Sequence, residues 1–272
     1  MDSQGMMFFA SLAVIAYLVC TLSLLPQLLL AQTQSAVSSP KRGRFVAISA
    51  VALLLHGVFI YQLVAHGEPP FTFTLLNILN VMTLLVVLLM TMALSHLNTL
   101  WFLLPVVYSI AMLSIIAGTL LPGHMVAYFN DNTALLIHIT LALVSYAVCF
   151  IATLFAFQLT WLDYKLKHKK IVFSPIIPSI MSVQRQFFKL LGVGEMLLTL
   201  ALLSGAISLH NFFAPEQIQK ATFSFLAWIV FGLLLIGHQK LHWRGKRVLI
   251  YTISGMILLT IAYFGSRTFL TL

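Results

Sequence analysis

Eight runs of roughly twenty apolar residues, separated by polar breaks, constrain this chain more than any other feature, because a bilayer core about 30 Å thick is crossed by a helix of about that length. The runs fall at 6–30, 45–65, 75–95, 101–121, 134–160, 190–213, 221–241 and 248–268. Only 8% of the residues are charged and 61% are hydrophobic, so the lipid bilayer must be the main solvent. The expected fold is therefore an all-α integral membrane protein, a single polytopic domain over residues 1–272. The first run carries Asp2 and no cation ahead of it and exceeds the apolar core of a signal peptide, so it is expected to stay as an anchor.

A formal charge of +9 raises the question of nucleic acid as a partner, and the positions of the cations answer it. Thirteen of the fifteen lie in alternate breaks: Lys41, Arg42 and Arg44; Lys165, Lys167, Lys169, Lys170, Arg185 and Lys189; and Lys240, Arg244, Lys246 and Arg247. Only Lys220 and Arg267 fall on the other side. The positive-inside rule then puts the basic breaks in the cytoplasm and both termini outside, and the charge reports topology rather than nucleic-acid binding. The longest break, 162–189, holds Pro175 and Pro178 and reads as a connector. The outer breaks near 66–74, 122–133 and 214–220 are short, so any function must sit in the bundle or at its rims. Cys20 and Cys149 lie in apolar spans without a C-x-x-C-H sequence, which excludes covalent haem attachment.

Ionisable residues inside a bilayer are costly and mark function by default. Four histidines qualify. His56 lies near the middle of the second span; His138 and His210 share a level a few ångströms inside the outer end of the fifth and sixth; His238 lies near the basic end of the seventh. Imidazole is a good iron ligand, and two facing imidazoles from different helices hold a b-type haem without covalent attachment. Any one histidine could instead hydrogen-bond a neighbouring helix. The set stands out because a proton or cation path normally needs acids in the membrane, and the only acid well inside a span is Glu195. Glu195 is expected to pair with Arg185 or Lys189, with proton transfer as the alternative. Asn77 and Asn80 share a helix face and are expected to pack. His66, His96, His124, His168 and His242 lie at rims, where water satisfies them.

Three segments carry a resemblance: LLIHITLALVSYAVCFIATLFAFQLTWLDYKLK at 135–167, LLTLALLSGAISLHNFF at 197–213 and LAWIVFGLLLIGHQKLHWRGKR at 226–247. They resemble the cytochrome c assembly superfamily of haem-handling membrane proteins (the CcsA/CcmC type), and within it the YpjD-like branch, with a haem-handling-like core at about 134–268. The resemblance implies a multi-pass protein of the bacterial inner membrane, a handler of haem rather than an enzyme, with a membrane or periplasmic cytochrome-assembly partner. His138 then matches an outer haem ligand, and His56 and His238 the paired ligands of an internal haem. The segment HNFFAPEQIQKATFSFLAW lacks the family's Trp, Asp and Pro-Lys-Glu order, and no histidine follows the last span. His210 is the expected substitute for that second outer ligand. Two other readings compete: a transmembrane b-type electron carrier with two stacked haems, and a haem-free accessory subunit of a transporter or assembly complex.

Overall fold

The computed structural model describes residues 3–31, 41–65, 72–94, 97–121, 125–128, 133–168, 177–208 and 215–265. Eight α-helices follow one another: α1 Ser3–Ala31, α2 Arg42–Ala65, α3 Leu75–Leu94, α4 Leu104–Leu120, α5 Thr133–Lys167, α6 Ile180–Ser208, α7 Pro215–Leu241 and α8 Lys246–Thr260. Seven of them are long and apolar enough to cross a membrane, α8 together with the π-helical turn Ile261–Gly265 that continues it. The eighth, α4, has 17 residues, and a short 3-10 turn, Asn98–Leu100, precedes it. Pro105 in its first turn explains why it starts at Leu104: proline lacks an N–H that the first turn does not use, and its ring would clash further in.

The helices group into two compact units, one holding α1–α4 and the other α5–α8. In the first, the helices form a ring in chain order, with α4 closing back on α1. Its core is aromatic: Tyr17 stacks on Tyr108 with ring centroids 5.4 Å apart, and Phe45 meets Trp101 edge-on at 5.4 Å. Two short strands, β1 Thr72–Thr74 and β2 Met125–Tyr128, pair antiparallel where α3 begins and α4 ends. Both were expected as loops; pairing gives backbone groups at a shared rim hydrogen-bond partners that irregular chain would have to find in water.

The second unit repeats the ring order, α5 on α6, α6 on α7, α7 on α8 and α8 on α5. Its α5 and α6 are joined along most of their length, and small residues on α6 let the backbones approach. A Cβ on Gly194 would lie 2.7 Å from the Cys149 sulfur. The connector is more helical than its sequence implies, because α5 continues to Lys167 and α6 starts at Ile180. No breaker precedes Pro175, and charged side chains let a helix run on into water. Lys167 pairs with Asp163 at 2.6 Å and Lys165 covers the Trp161 ring at 5.5 Å.

Candidate functional site

His56 is fully buried in the first unit. Its surroundings fix the ring's tautomer. The Asn80 amide nitrogen donates to the carbonyls of Leu76 at 2.9 Å and Ser114 at 3.0 Å, so the amide oxygen faces His56 as an acceptor. Nε2 of His56 therefore carries the proton and donates to Asn80 Oδ1 at 3.4 Å, while Nδ1 accepts from the Tyr17 hydroxyl at 3.2 Å. Both ring nitrogens are engaged, and the imidazole ties α1, α2 and α3 together. Thr83 extends the polar seam by bonding Ser114 across to α4 at 2.8 Å. Asn77 lies at the start of α3, where its backbone N–H donates to the Thr74 hydroxyl at 3.2 Å in an N-cap bond. The expectation that both asparagines serve packing agrees with these contacts.

His138 is held differently. It projects from the second turn of α5 onto the last third of α6, where Nδ1 lies 3.0 Å from the Ala201 carbonyl and 3.1 Å from the Ser204 hydroxyl. A carbonyl only accepts, so Nδ1 carries the proton. Ser204 in turn donates to the same carbonyl at 2.9 Å. Gly205 supplies the space, since a Cβ there would stand 2.8 Å from His138 Cε1. Nε2 keeps its lone pair, and among the described residues no hydrogen bond occupies it. A half-buried imidazole with Nδ1–H fixed by a carbonyl and Nε2 open is the arrangement that metal-binding histidines use, because the outer hydrogen bond sets tautomer and ring direction.

His238 sits in the last turn of α7, stacked on Phe188 of α6 with centroids 3.5 Å apart and planes 7° apart. Its Nδ1 lies 3.4 Å from the Trp243 carbonyl. The chain turns back there because His242 adopts φ 53°, which brings the Trp243 N–H to the Gly237 carbonyl at 3.1 Å. His242 thus shapes a turn, and His168 bonds the Tyr164 carbonyl at 2.8 Å.

Of the two expected ligand pairs, each has one member in the described residues of the second unit, His138 for the outer pair and His238 for the inner. His210 lies outside them, as do His66, His96 and His124. His56 belongs to the first unit and His238 to the second. No group of three or more His, Cys, Asp or Glu with metal-binding geometry occurs among the described residues, a condition that haem, needing one or two axial ligands, does not require. A cavity of about 250 Å³ between α5 and α8 is lined by Thr153, Phe157, Met256 and Thr260 among others, and no histidine reaches it.

The ion pair expected of Glu195 is not formed. Among the described residues neither Arg185 nor Lys189 comes within ion-pair distance of Glu195, whereas Lys167 does pair with Asp163. Lys189 and Arg185 precede Glu195 by six and ten residues, which at 3.6 residues per turn places them about 240° and 280° around the helix, off its face. Sequence reasoning also missed the cradle around His138, although Ala201, Ser204 and Gly205 follow the i, i+3, i+4 spacing of a small-residue helix face. Tyr17, the partner of His56, left no local signal.

The sequence matches the family Cytochrome C assembly protein over residues 11–272. Inner membrane protein YpjD of Escherichia coli (strain K12) is 38% identical over 264 residues, 95% of this chain and 96% of that protein. Cytochrome c biogenesis protein CcsA of Chlamydomonas reinhardtii is 26% identical over 133 residues, covering 48% of this chain and 37% of its own. No solved structure matches the chain. With eight apolar helices and a family match over all but its first ten residues, this chain belongs to the cytochrome c assembly protein family.

Proposed function

We propose that this chain is a haem-handling protein of the inner membrane that assists cytochrome c maturation or haem delivery, with His138 as the principal iron ligand. The observation that carries the reading is the state of the His138 ring: Nδ1–H held at 3.0 Å by the Ala201 carbonyl, and Nε2 with a lone pair that no described residue occupies. Family membership and likeness to an inner membrane protein and to cytochrome c biogenesis proteins support it. A haem bound there would be b-type, coordinated without a covalent link, and His210, five residues beyond Gly205 in sequence, is the proposed second ligand. Ala201 and Ser204 orient the imidazole, Gly205 leaves room for it, and the apolar helices exclude water. Haem itself supplies the iron for axial coordination.

The basic ends of the helices are proposed to face the cytoplasm, which puts His138 toward the periplasm, where c-type cytochromes are assembled. A two-haem electron carrier is the weaker reading. It needs a second, inner haem level that uses His56, whose ring nitrogens are both bonded to Tyr17 and Asn80. The test is haem stoichiometry and the optical spectrum of purified protein from haem-supplied cells, with His56, His138, His210 and His238 each changed to Ala. Loss of haem in H138A with retention in H56A is expected; retention in H138A would sink the assignment, and absence of haem from every folded preparation would favour the accessory-subunit reading.

A further inference from the structure

Glu195 is an acid that the haem reading leaves unused, placed far from either end of α6: by residue count it lies roughly 22 Å along the axis from Ile180. Its Oε2 is buried and has no hydrogen-bond partner among the described residues, and Oε1 faces α7, where a Cβ on Gly232 would stand 3.3 Å from it. The neighbours identified on α7 and α5, the helices packed against α6, carry no formal charge. From α7 come Gly232 and Trp228, and the Trp228 indole N–H is spent on the Thr199 hydroxyl at 2.8 Å. From α5 comes the Cys149 thiol, the titratable group that interacts electrostatically with Glu195. Beyond Cys149 lie Tyr263 and Tyr146, whose rings are 5.2 Å apart, and the Tyr146 hydroxyl is bonded to Thr260 at 3.1 Å.

An ionised carboxylate buried there would meet no cation and no hydrogen-bond donor at Oε2 among the described residues, and its desolvation would cost several kcal/mol. A neutral carboxylic acid needs none of these. Exposed Met196, Leu233 and Ile236 flank the seam on α6 and α7, so what borders it is apolar. We propose that Glu195 is a proton-binding site on the α6–α7 seam, a carboxylic acid that carries its proton at neutral pH within the apolar part of the second unit. The ligand is a proton, and the site is independent of haem.

A lipid-soluble carbodiimide tests this on the full chain in detergent micelles at neutral pH. The protonated carboxyl adds its O–H across one C=N bond of the reagent, and the acyl group then migrates to nitrogen, so the product carries the mass of one whole reagent molecule and nothing leaves. The expected result is one adduct mapped to Glu195 by mass spectrometry, with the adduct yield of the whole protein reduced at least tenfold in E195Q and unchanged in H138A. Asp163, held at 2.6 Å by Lys167, is the comparison position, where no adduct is expected. No adduct at Glu195, or the same adduct yield in E195Q, overturns the proposal. Should E195Q fail to fold, infrared spectra of the wild-type protein decide: a carboxylic-acid carbonyl band that shifts in D2O supports it, and carboxylate bands alone overturn it.

Discussion

Two histidines that look alike in sequence occupy opposite chemical situations. His56 donates from one ring nitrogen and accepts at the other, so removing it orphans the Tyr17 hydroxyl and the Asn80 amide oxygen in a buried place. H56A should therefore lose about 1–3 kcal/mol of stability, read as a lower unfolding temperature, while its haem content stays at the wild-type level. His138 has one nitrogen without a partner among the described residues, and its neighbours set where that nitrogen points. G205V should displace the ring through the Cβ that would otherwise stand 2.8 Å from Cε1, and should lose haem as H138A does although His138 remains. S204A removes one of two oxygens beside Nδ1 and should weaken haem retention by about tenfold, the usual effect of an outer-shell partner. Unchanged haem content in both G205V and S204A would show that this cradle does not orient a ligand. The helix that carries each of His56, His138 and His238 was legible in the sequence; the bonding of the rings was not, because Tyr17 and Ser204 lie 39 and 66 residues away along the chain.

Helix positions were legible because each span must match the bilayer, and the eight apolar runs correspond to α1–α8. The misread ends share a cause. Outside the membrane, apolar content stops marking a helix, so α5 runs on to Lys167 and α6 begins at Ile180 through residues that composition assigns to a connector. Single cysteines placed along 181–189 should react with a water-soluble maleimide in a pattern repeating every 3.6 residues; uniform reactivity would contradict a helix there. The Lys167–Asp163 pair on the neighbouring helix end is exposed, with 70% of the lysine side chain accessible, so K167A should change stability by less than about 0.5 kcal/mol. The small ribbon of Thr72–Thr74 and Met125–Tyr128 had no sequence signal, since strands of three and four residues are too short to show alternation.

The sequence carries two messages about the whole molecule that differ in strength. The number of helices and the distribution of cations are properties of many residues at once, and they withstand local error. The placement of thirteen of fifteen cations in alternate breaks predicts that alkaline phosphatase fused after residue 70 is active and fused after residue 168 is inactive. The reverse pattern would invert the orientation. The grouping into two four-helix units is invisible in the sequence, because the apolar spans look alike and lipid offers no hydrophobic contrast to mark which helices pack together. Haem handling, by contrast, rests on single residues. It is tested most directly by the absorption spectrum and haem content of the purified, haem-supplied protein beside its H138A variant. The account predicts a low-spin b-type spectrum with about one haem per chain, lost in H138A while the variant remains folded; a wild-type spectrum in H138A would contradict it.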